Sequence, residues 1–272
     1  MSSRFLRAVA VGAFAMLVSV QAAGSRELRV CADPDNLPYS NSQGEGFENK
    51  LMLMVGREIG AEVRFVWDHQ WRGFVRKTLR SGLCDVIPGV AVGMERLRLT
   101  KPYYVSSYAF VTRTDGTSIA GFSDLAADMK VGVQLVGDDG ANTPPVEELA
   151  KRGIRSHVKG FMVWGQSPSG GQPLEAIMRA VADGSVDVAV VWGPQAGYFA
   201  TRETAPLTVR PVSADDRTVL PMTFEIAMGV RSEDEALAEE LDLALERLRP
   251  EIQELLASYG VPRASEPQGV SR

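Results

Sequence analysis

The order of apolar and polar positions divides the chain into short strands and amphipathic helices in regular succession. Residues 28–32 (LRVCA) form an apolar run that breaks into a proline-containing acidic loop, DPDNLPYS, followed by Gly44 and Gly46. Leu51, Met54, Val55 and Ile59 then recur at i, i+3, i+4 and i+8, which predicts a helix over 47–60 stopped by Gly60. Residues 61–67 (AEVRFVW) alternate as a strand, and 71–81 read as a second helix ended by Gly82. Residues 84–90 are a continuous apolar run of the kind found in buried parallel strands. Three strands with two helical crossovers describe half of a doubly wound sheet.

The plan then repeats. Residues 105–113 form a strand leading away, 119–129 carry a helical turn, and 130–136 (KVGVQLV) open a second lobe. Thr143 is placed to cap a helix over 146–152 with Pro144 at its first position. After 155–159 and a loop around 166–173 come a helix over 174–182 and an apolar strand over 186–191 that runs into Trp192-Gly193-Pro194. Residues 223–231 (TFEIAMGVR) alternate as a strand returning to the first lobe, and helices over 234–248 and 251–259 complete it. The expected class is α/β, with two lobes, mixed sheets carrying helices on both faces, and a two-strand hinge. The expected division is 26–110 plus 222–262 for lobe 1 and 111–221 for an inserted lobe 2, with 263–272 a disordered tail.

Ligands of open α/β sheets sit outside the carboxyl ends of the strands. By that rule Asp33, Asp35 and Asn36 on one loop face Asp138, Asp139, Asn142 and Thr143 on another across a common gap. Such residues can make a polar cleft or a partner-contacting rim. They also make Asx turns and helix caps, the role expected for most of them. Tyr39 and Trp192 are the leading candidates to line the cleft; Trp71, Arg72 and Tyr103 complete the candidate set, and Trp67 is read as a core residue.

Composition narrows the partners more than the fold. The 272 residues suffice for two ordinary lobes, and a net charge of −5 without any Lys/Arg cluster gives no footprint for nucleic acid. Arg4 and Arg7 precede an apolar run over 8–20 and small residues at 20–22, the pattern of a secretory signal peptide over 1–22. That run is short of the roughly 20 residues of a membrane span. The mature chain is therefore expected in the periplasm. Export permits a disulfide between its two cysteines, Cys31 and Cys84, provided their strands are neighbours; two buried free thiols are the other reading.

No haem-attachment motif, phosphate-cradling loop or nucleophile elbow is present, and His69 beside Asp68 reads as a surface histidine. The acidic loops lack the one-loop alternation of a calcium site. The sequence reading assigns no catalysis, no metal and no cofactor.

Several phrases carry a resemblance. The order of elements, with Pro38-Tyr39, the Gly46-Phe47 helix start and Pro102-Tyr103-Tyr104, resembles the type II periplasmic binding protein fold. Five more specific phrases are similar to one subgroup: Cys31-Ala32-Asp33-Pro34 with Asn36-Leu37-Pro38-Tyr39-Ser40; Gly44-Glu45-Gly46-Phe47-Glu48-Asn49-Lys50; Arg72-Gly73-Phe74-Val75-Arg76; Asn142-Thr143-Pro144-Pro145; and Val190-Val191-Trp192-Gly193-Pro194 with Ala196-Gly197-Tyr198-Phe199-Ala200. That subgroup is the quinoprotein-dehydrogenase-associated family of MxaJ/XoxJ type. The resemblance implies an accessory role beside a PQQ-dependent methanol (alcohol) dehydrogenase, with its c-type cytochrome as a further partner. The alternative is the receptor of an ABC transporter for a small polar solute. Amino-acid-binding members of the fold use an Arg after the third strand and an acidic residue in the second lobe. Here Glu95-Arg96 stands close to the Pro102 element, Arg96 is read as a solvated charge, and Trp192 occupies the place of the acid.

Overall fold

A computed structural model describes residues 26–93, 97–136, 141–162, 173–213 and 217–263. The proposed signal peptide, Glu95-Arg96, Asp138, Asp139 and the tail from 264 lie outside the described residues. The opening strand Arg26–Ala32 pairs in parallel with Ala61–Trp67, placing Arg26 opposite Ala61 and Ala32 opposite Trp67. The helix Phe47–Glu58 connects them and buries Phe47, Leu51, Met52 and Val55, close to the face its periodicity predicts. Trp67 departs from expectation. It ends an edge strand, is 38% exposed, and stacks on Phe65 at 5.2 Å instead of entering the core.

The region after this unit differs from its apolar pattern in two ways. The expected helix over 71–81 contracts to Phe74–Lys77, because Gly73 precedes it at φ 90°, a left-handed geometry that no helix runs through. The expected parallel strand over 84–90 is divided. Val86 bridges to Val30 in parallel, whereas Ile87–Ala91 pairs antiparallel with Thr223–Val230. In that second pairing Ile87 faces Gly229 and Val90 faces Ala227, leaving Pro88 and Gly89 opposite Met228 alone. Pro88 has no N–H to give to a continuous ladder, and the resulting bulge turns the strand at this point.

Among the described residues nine strands form the larger sheet. Its main path runs Val158–Met162, Val131–Val136, Val188–Trp192, Tyr104–Arg113, Thr223–Val230 and Ile87–Ala91. Tyr104–Arg113 uses Tyr104 to Ser107 against Thr223 to Ile226, and Tyr108 onward against Val188–Trp192 and the strand Leu207–Pro211. Neither Leu207–Pro211 nor the helix Gly193–Ala200 was among the expected elements; the helix starts on Gly193-Pro194, with Pro at a first-turn position. The closing helices are Glu235–Arg247 and Arg249–Ser258. Thr143 does precede the helix Pro144–Lys151, but its hydroxyl donates to the Gln134 carbonyl at 2.8 Å and accepts no bond from the first N–H groups of the helix.

The open question about the cysteines has a structural answer. Cys31 and Cys84 are fully buried and joined as a disulfide, with Cα atoms 5.4 Å apart. Backbone bonds from Cys31 N–H to the Val86 carbonyl (2.9 Å) and from Asp85 N–H to the Arg29 carbonyl (2.7 Å) hold the two segments side by side. Next to the bridge Asp85 accepts from Arg29 Nε and Nη2 at 2.9 and 2.6 Å and from Arg231 Nη2 at 3.1 Å. Burial alone would raise the Asp85 carboxyl, but these guanidinium bonds outweigh it and hold the group below the ordinary range.

A disulfide closing a 53-residue separation limits the unfolded chain, by the loop-entropy model, by about 4 kcal/mol. The double variant Cys31→Ala/Cys84→Ala is expected to lose about 2 to 4 kcal/mol of unfolding free energy in urea titration. An unchanged midpoint and slope would show that the bridge contributes nothing.

Candidate functional site

Between the lobes lies a cleft of about 290 Å³. The first lobe contributes Asn36, Tyr39, Glu48, Gln70 and Gly89 to its wall, and the second contributes Gln134, Thr143, Trp192 and Gln195. Tyr104, Tyr108 and Ile226 come from the two strands that pass between the lobes. Residues 104 and 108 share a strand face, so one face delivers both phenols.

The local sequence explains why Glu48 is here. It is the second residue of the helix Phe47–Glu58, whose first N–H groups are taken by the loop before it: Phe47 donates to the Pro38 carbonyl and Glu48 to the Tyr39 carbonyl, both at 2.8 Å. Gly46 permits this close approach, since a Cβ there would stand 2.0 Å from the Tyr39 oxygen. The Glu48 side chain then lies across Gly89, where an added Cβ would meet Oε1 at 2.2 Å. The bulge at Pro88-Gly89 supplies that space. Glu48 is only 4% exposed, and among the described residues burial alone acts on its carboxyl, with no hydrogen bond or ion pair to it. Burial pushes it up to about 8.

The carboxamides of the wall are partnered with one another. Asn36 Nδ2 donates to Gln70 Oε1 at 3.0 Å, and Gln134 Nε2 donates to Gln195 Oε1 at 2.8 Å. Gln134 Oε1 also accepts from the Trp192 backbone N–H at 2.9 Å, which fixes the end of the Val188–Trp192 strand. The Trp192 ring meets Tyr108 and Phe224 edge-on at 5.1 and 5.7 Å. Burial raises the phenols of Tyr39 and Tyr104 well above 10 and that of Tyr108 to about 12, so all three stay neutral in ordinary buffers.

Of the residues singled out from sequence, Asn36, Tyr39, Thr143 and Trp192 line this cleft. Asp33 does not. Its carboxyl is buried and accepts from the backbone N–H groups of Asp35 (2.9 Å) and Gln70 (2.7 Å), with His69 Nδ1 at 3.4 Å, which is turn chemistry. Trp71 is 52% exposed and stacks on His69, and Arg72 is exposed beside it. Tyr103 does not line the cleft but lies behind it: its hydroxyl donates to the Pro88 carbonyl at 3.1 Å and its ring borders an outer recess. Asn142 is described only by its backbone, which bridges Leu135. Glu48, Gln134, Gln195, Tyr104 and Tyr108 were missed. Glu48 carried a legible signal, since an acidic residue directly after an expected Gly-Phe helix start faces the strand-end gap.

A fold with two lobes joined by two strands around a cleft is the frame of the periplasmic binding proteins, and comparison with known families decides the matter. The family model for bacterial extracellular solute-binding proteins, family 3, matches residues 28–261. The chain belongs to this family.

Among family relatives, MoxJ of Paracoccus denitrificans is 30% identical, the match covering 95% of this chain and 97% of MoxJ. The crystal structure of the periplasmic binding protein XoxJ from Methylobacterium extorquens AM1 is 30% identical and superposes with a TM-score of 0.72 over 88% of this chain and 100% of XoxJ. That of MxaJ from Methlophaga aminisulfidivorans MPT is 28% identical, with a TM-score of 0.72 over 86% and 99%. The solute-binding protein therefore has the type II fold and resembles the MxaJ/XoxJ type along nearly its whole length. Among the described residues no helix is long and apolar enough to cross a membrane.

The raised Glu48 carboxyl links the cleft to stability. Between the ordinary carboxyl range and pH 8 the folded solute-binding protein holds a proton at Glu48 that the unfolded chain has released, so stability falls as pH rises through that window. Urea unfolding of the ligand-free wild type and of Glu48→Gln at about pH 5 and about pH 8.5 should show this as a loss on the order of 4 kcal/mol in the wild type only. Equal pH slopes in the two proteins would contradict it.

Proposed function

We propose that the protein is a periplasmic, non-catalytic accessory protein of a PQQ-dependent methanol dehydrogenase. It engages the dehydrogenase, and through it the c-type cytochrome, with the rim of the interlobe cleft. The observation that carries this reading is the near end-to-end correspondence with MoxJ, XoxJ and MxaJ. The sequence phrases resemble that type, and the resemblance implies an association with quinoprotein dehydrogenases. In this reading residues 1–22 are removed on export, lobe 1 comprises 26–110 plus 222–262, and lobe 2 comprises 111–221. Lobe closure couples recognition to a change of shape.

The cleft's chemistry supports a binding role. Among the described residues its wall offers one carboxyl group and neutral phenols, whereas hydrolytic or acid–base chemistry needs a nucleophile with a base, or paired acids with separated pKa values. One observation favours a second reading, a receptor handing a small solute to a transporter: the buried carboxyl without a partner, which a bound solute would satisfy. The two readings part on what the protein holds in the cell.

Affinity capture of the tagged protein from periplasm, with identification of the co-purifying chains, tests the first reading. A quinoprotein dehydrogenase is expected in the eluate, and a deletion strain is expected to oxidise methanol more slowly. Recovery of no dehydrogenase together with normal methanol oxidation in the deletion strain would sink it.

A further inference from the structure

We infer that the cleft binds a small organic monocation of the alkylammonium class, its charge held between the Glu48 carboxyl and the surrounding aromatic rings. The inference rests on the reading of the cleft as the binding site and is independent of which protein partner is engaged.

Three observations meet at this point. The first is Glu48 itself, 96% removed from solvent by its own 4% exposure, set across Gly89 and facing the cavity with no partner among the described residues. A buried carboxylate without a counter-charge costs several kcal/mol, and a cation supplied by a ligand removes that cost. The second is the remainder of the wall. Among the described residues no Lys, Arg or His lines the cleft, so a carboxylate, phosphate or zwitterionic ligand would find no counter-charge on these walls. The carboxamides are largely occupied with one another, through Asn36 with Gln70 and Gln134 with Gln195. Glu48 is left as the group that selects by charge.

The third is the aromatic surface. Tyr39, Tyr104, Tyr108 and Trp192 all border the same cavity, and their ring faces attract a cation whose substituents are apolar. Trp192 is held by its contacts to Tyr108 and Phe224 and by its backbone bond to Gln134, so the surface is formed before a ligand arrives. A volume of about 290 Å³ is at the small end for ligand pockets, which favours a compact ammonium over a peptide or sugar.

Proton balance follows from the same arrangement. The empty cleft keeps Glu48 protonated at neutral pH, and a cation drives that proton out to the solvent. The other titratable groups facing Glu48 are the phenols of Tyr39, Tyr103 and Tyr104, all pushed further from ionisation by burial. Affinity for the cation therefore rises with pH up to about 8 and levels off beyond it.

Isothermal titration calorimetry on the purified protein tests this, using methylammonium and choline as cations, 3,3-dimethylbutan-1-ol as the uncharged isostere of choline, and acetate as an anion. Saturable binding of at least one cation is expected, at least about tenfold tighter than the isostere, with proton release when buffers of different ionisation enthalpy are compared. Glu48→Gln should lower that affinity by about tenfold or more while circular dichroism stays native, and Trp192→Leu should lower it through the ring face. No saturable binding of either cation, equal affinity for the isostere, tighter binding of acetate, or an unchanged Glu48→Gln affinity would each overturn the inference. A negative titration with the dehydrogenase still captured would remove this inference alone; a positive titration with no dehydrogenase captured would remove the accessory reading alone.

Discussion

Two strands, Tyr104–Arg113 and Thr223–Val230, form hydrogen bonds with both lobes, and the walls of the cleft take their positions from that shared ladder. The first spends its opening four residues on the second strand and its remaining length on the second lobe. The other pairs onward with Ile87–Ala91 of the first lobe. A one-residue slip in either ladder would turn Tyr104 and Tyr108 to the opposite face. The bulge opposite Met228 absorbs an extra residue where Pro88 interrupts pairing, and it brings Gly89 under Glu48. Away from the cleft, the lobes meet where Gly197 approaches Gly260 so closely that a Cβ on Gly197 would stand 1.8 Å from the Gly260 carbonyl oxygen. Tyr198 stacks on Tyr259 beside that contact, at 5.8 Å.

The protein treats a half-buried and a buried carboxyl group in opposite ways. Asp85 is surrounded by donors from Arg29 and Arg231, remains charged, and ties the disulfide-bridged segment to the end of the Thr223–Val230 strand. Its contribution to stability is present above the ordinary carboxyl range and is lost as pH falls through its lowered value. Glu48 has no such donors, and burial favours its neutral form. The same physics, desolvation against partnering, makes one carboxyl a structural clamp and leaves the other available. A fold has no need of the second arrangement for its own stability, since a Gln of equal size would avoid the penalty.

Much of this architecture was legible in the chain. The 3.6-residue spacing from Leu51 to Ile59 located the first helix, and the apolar run ending at Trp192 located a cleft residue, because both signals are local. What could not be read was decided by distant pairing. The run from Cys84 to Val90 looks like one strand, yet it changes partners after Val86 because Pro88 cannot continue a ladder whose neighbours lie more than a hundred residues away. Gly73 divided an apparently continuous helix through a backbone angle that composition does not reveal. Acidic loop residues were the natural candidates for the site, but Asp33 turned its carboxyl inward to its own loop. The carboxyl that faces the cleft stands in the first turn of a helix, where only its place directly after Gly46-Phe47 marks it.

The placement of charge and ring on different lobes has a consequence for motion. Glu48 and Tyr39 belong to the first lobe and Trp192 to the second, so neither lobe alone forms an enclosure with both a carboxyl and an indole. Separation of the lobes would part Trp192 from Tyr39 and expose Glu48 to water, where its carboxyl would return toward the ordinary range and ionise. Closure reverses both changes. A ligand that pairs with the ionised group and also packs against the indole therefore has its greatest differential affinity for the closed form, the condition under which binding shifts a conformational equilibrium. In that arrangement the state of the cleft is communicated to the rim, because the same strands that carry the tyrosines also set the angle between the lobes.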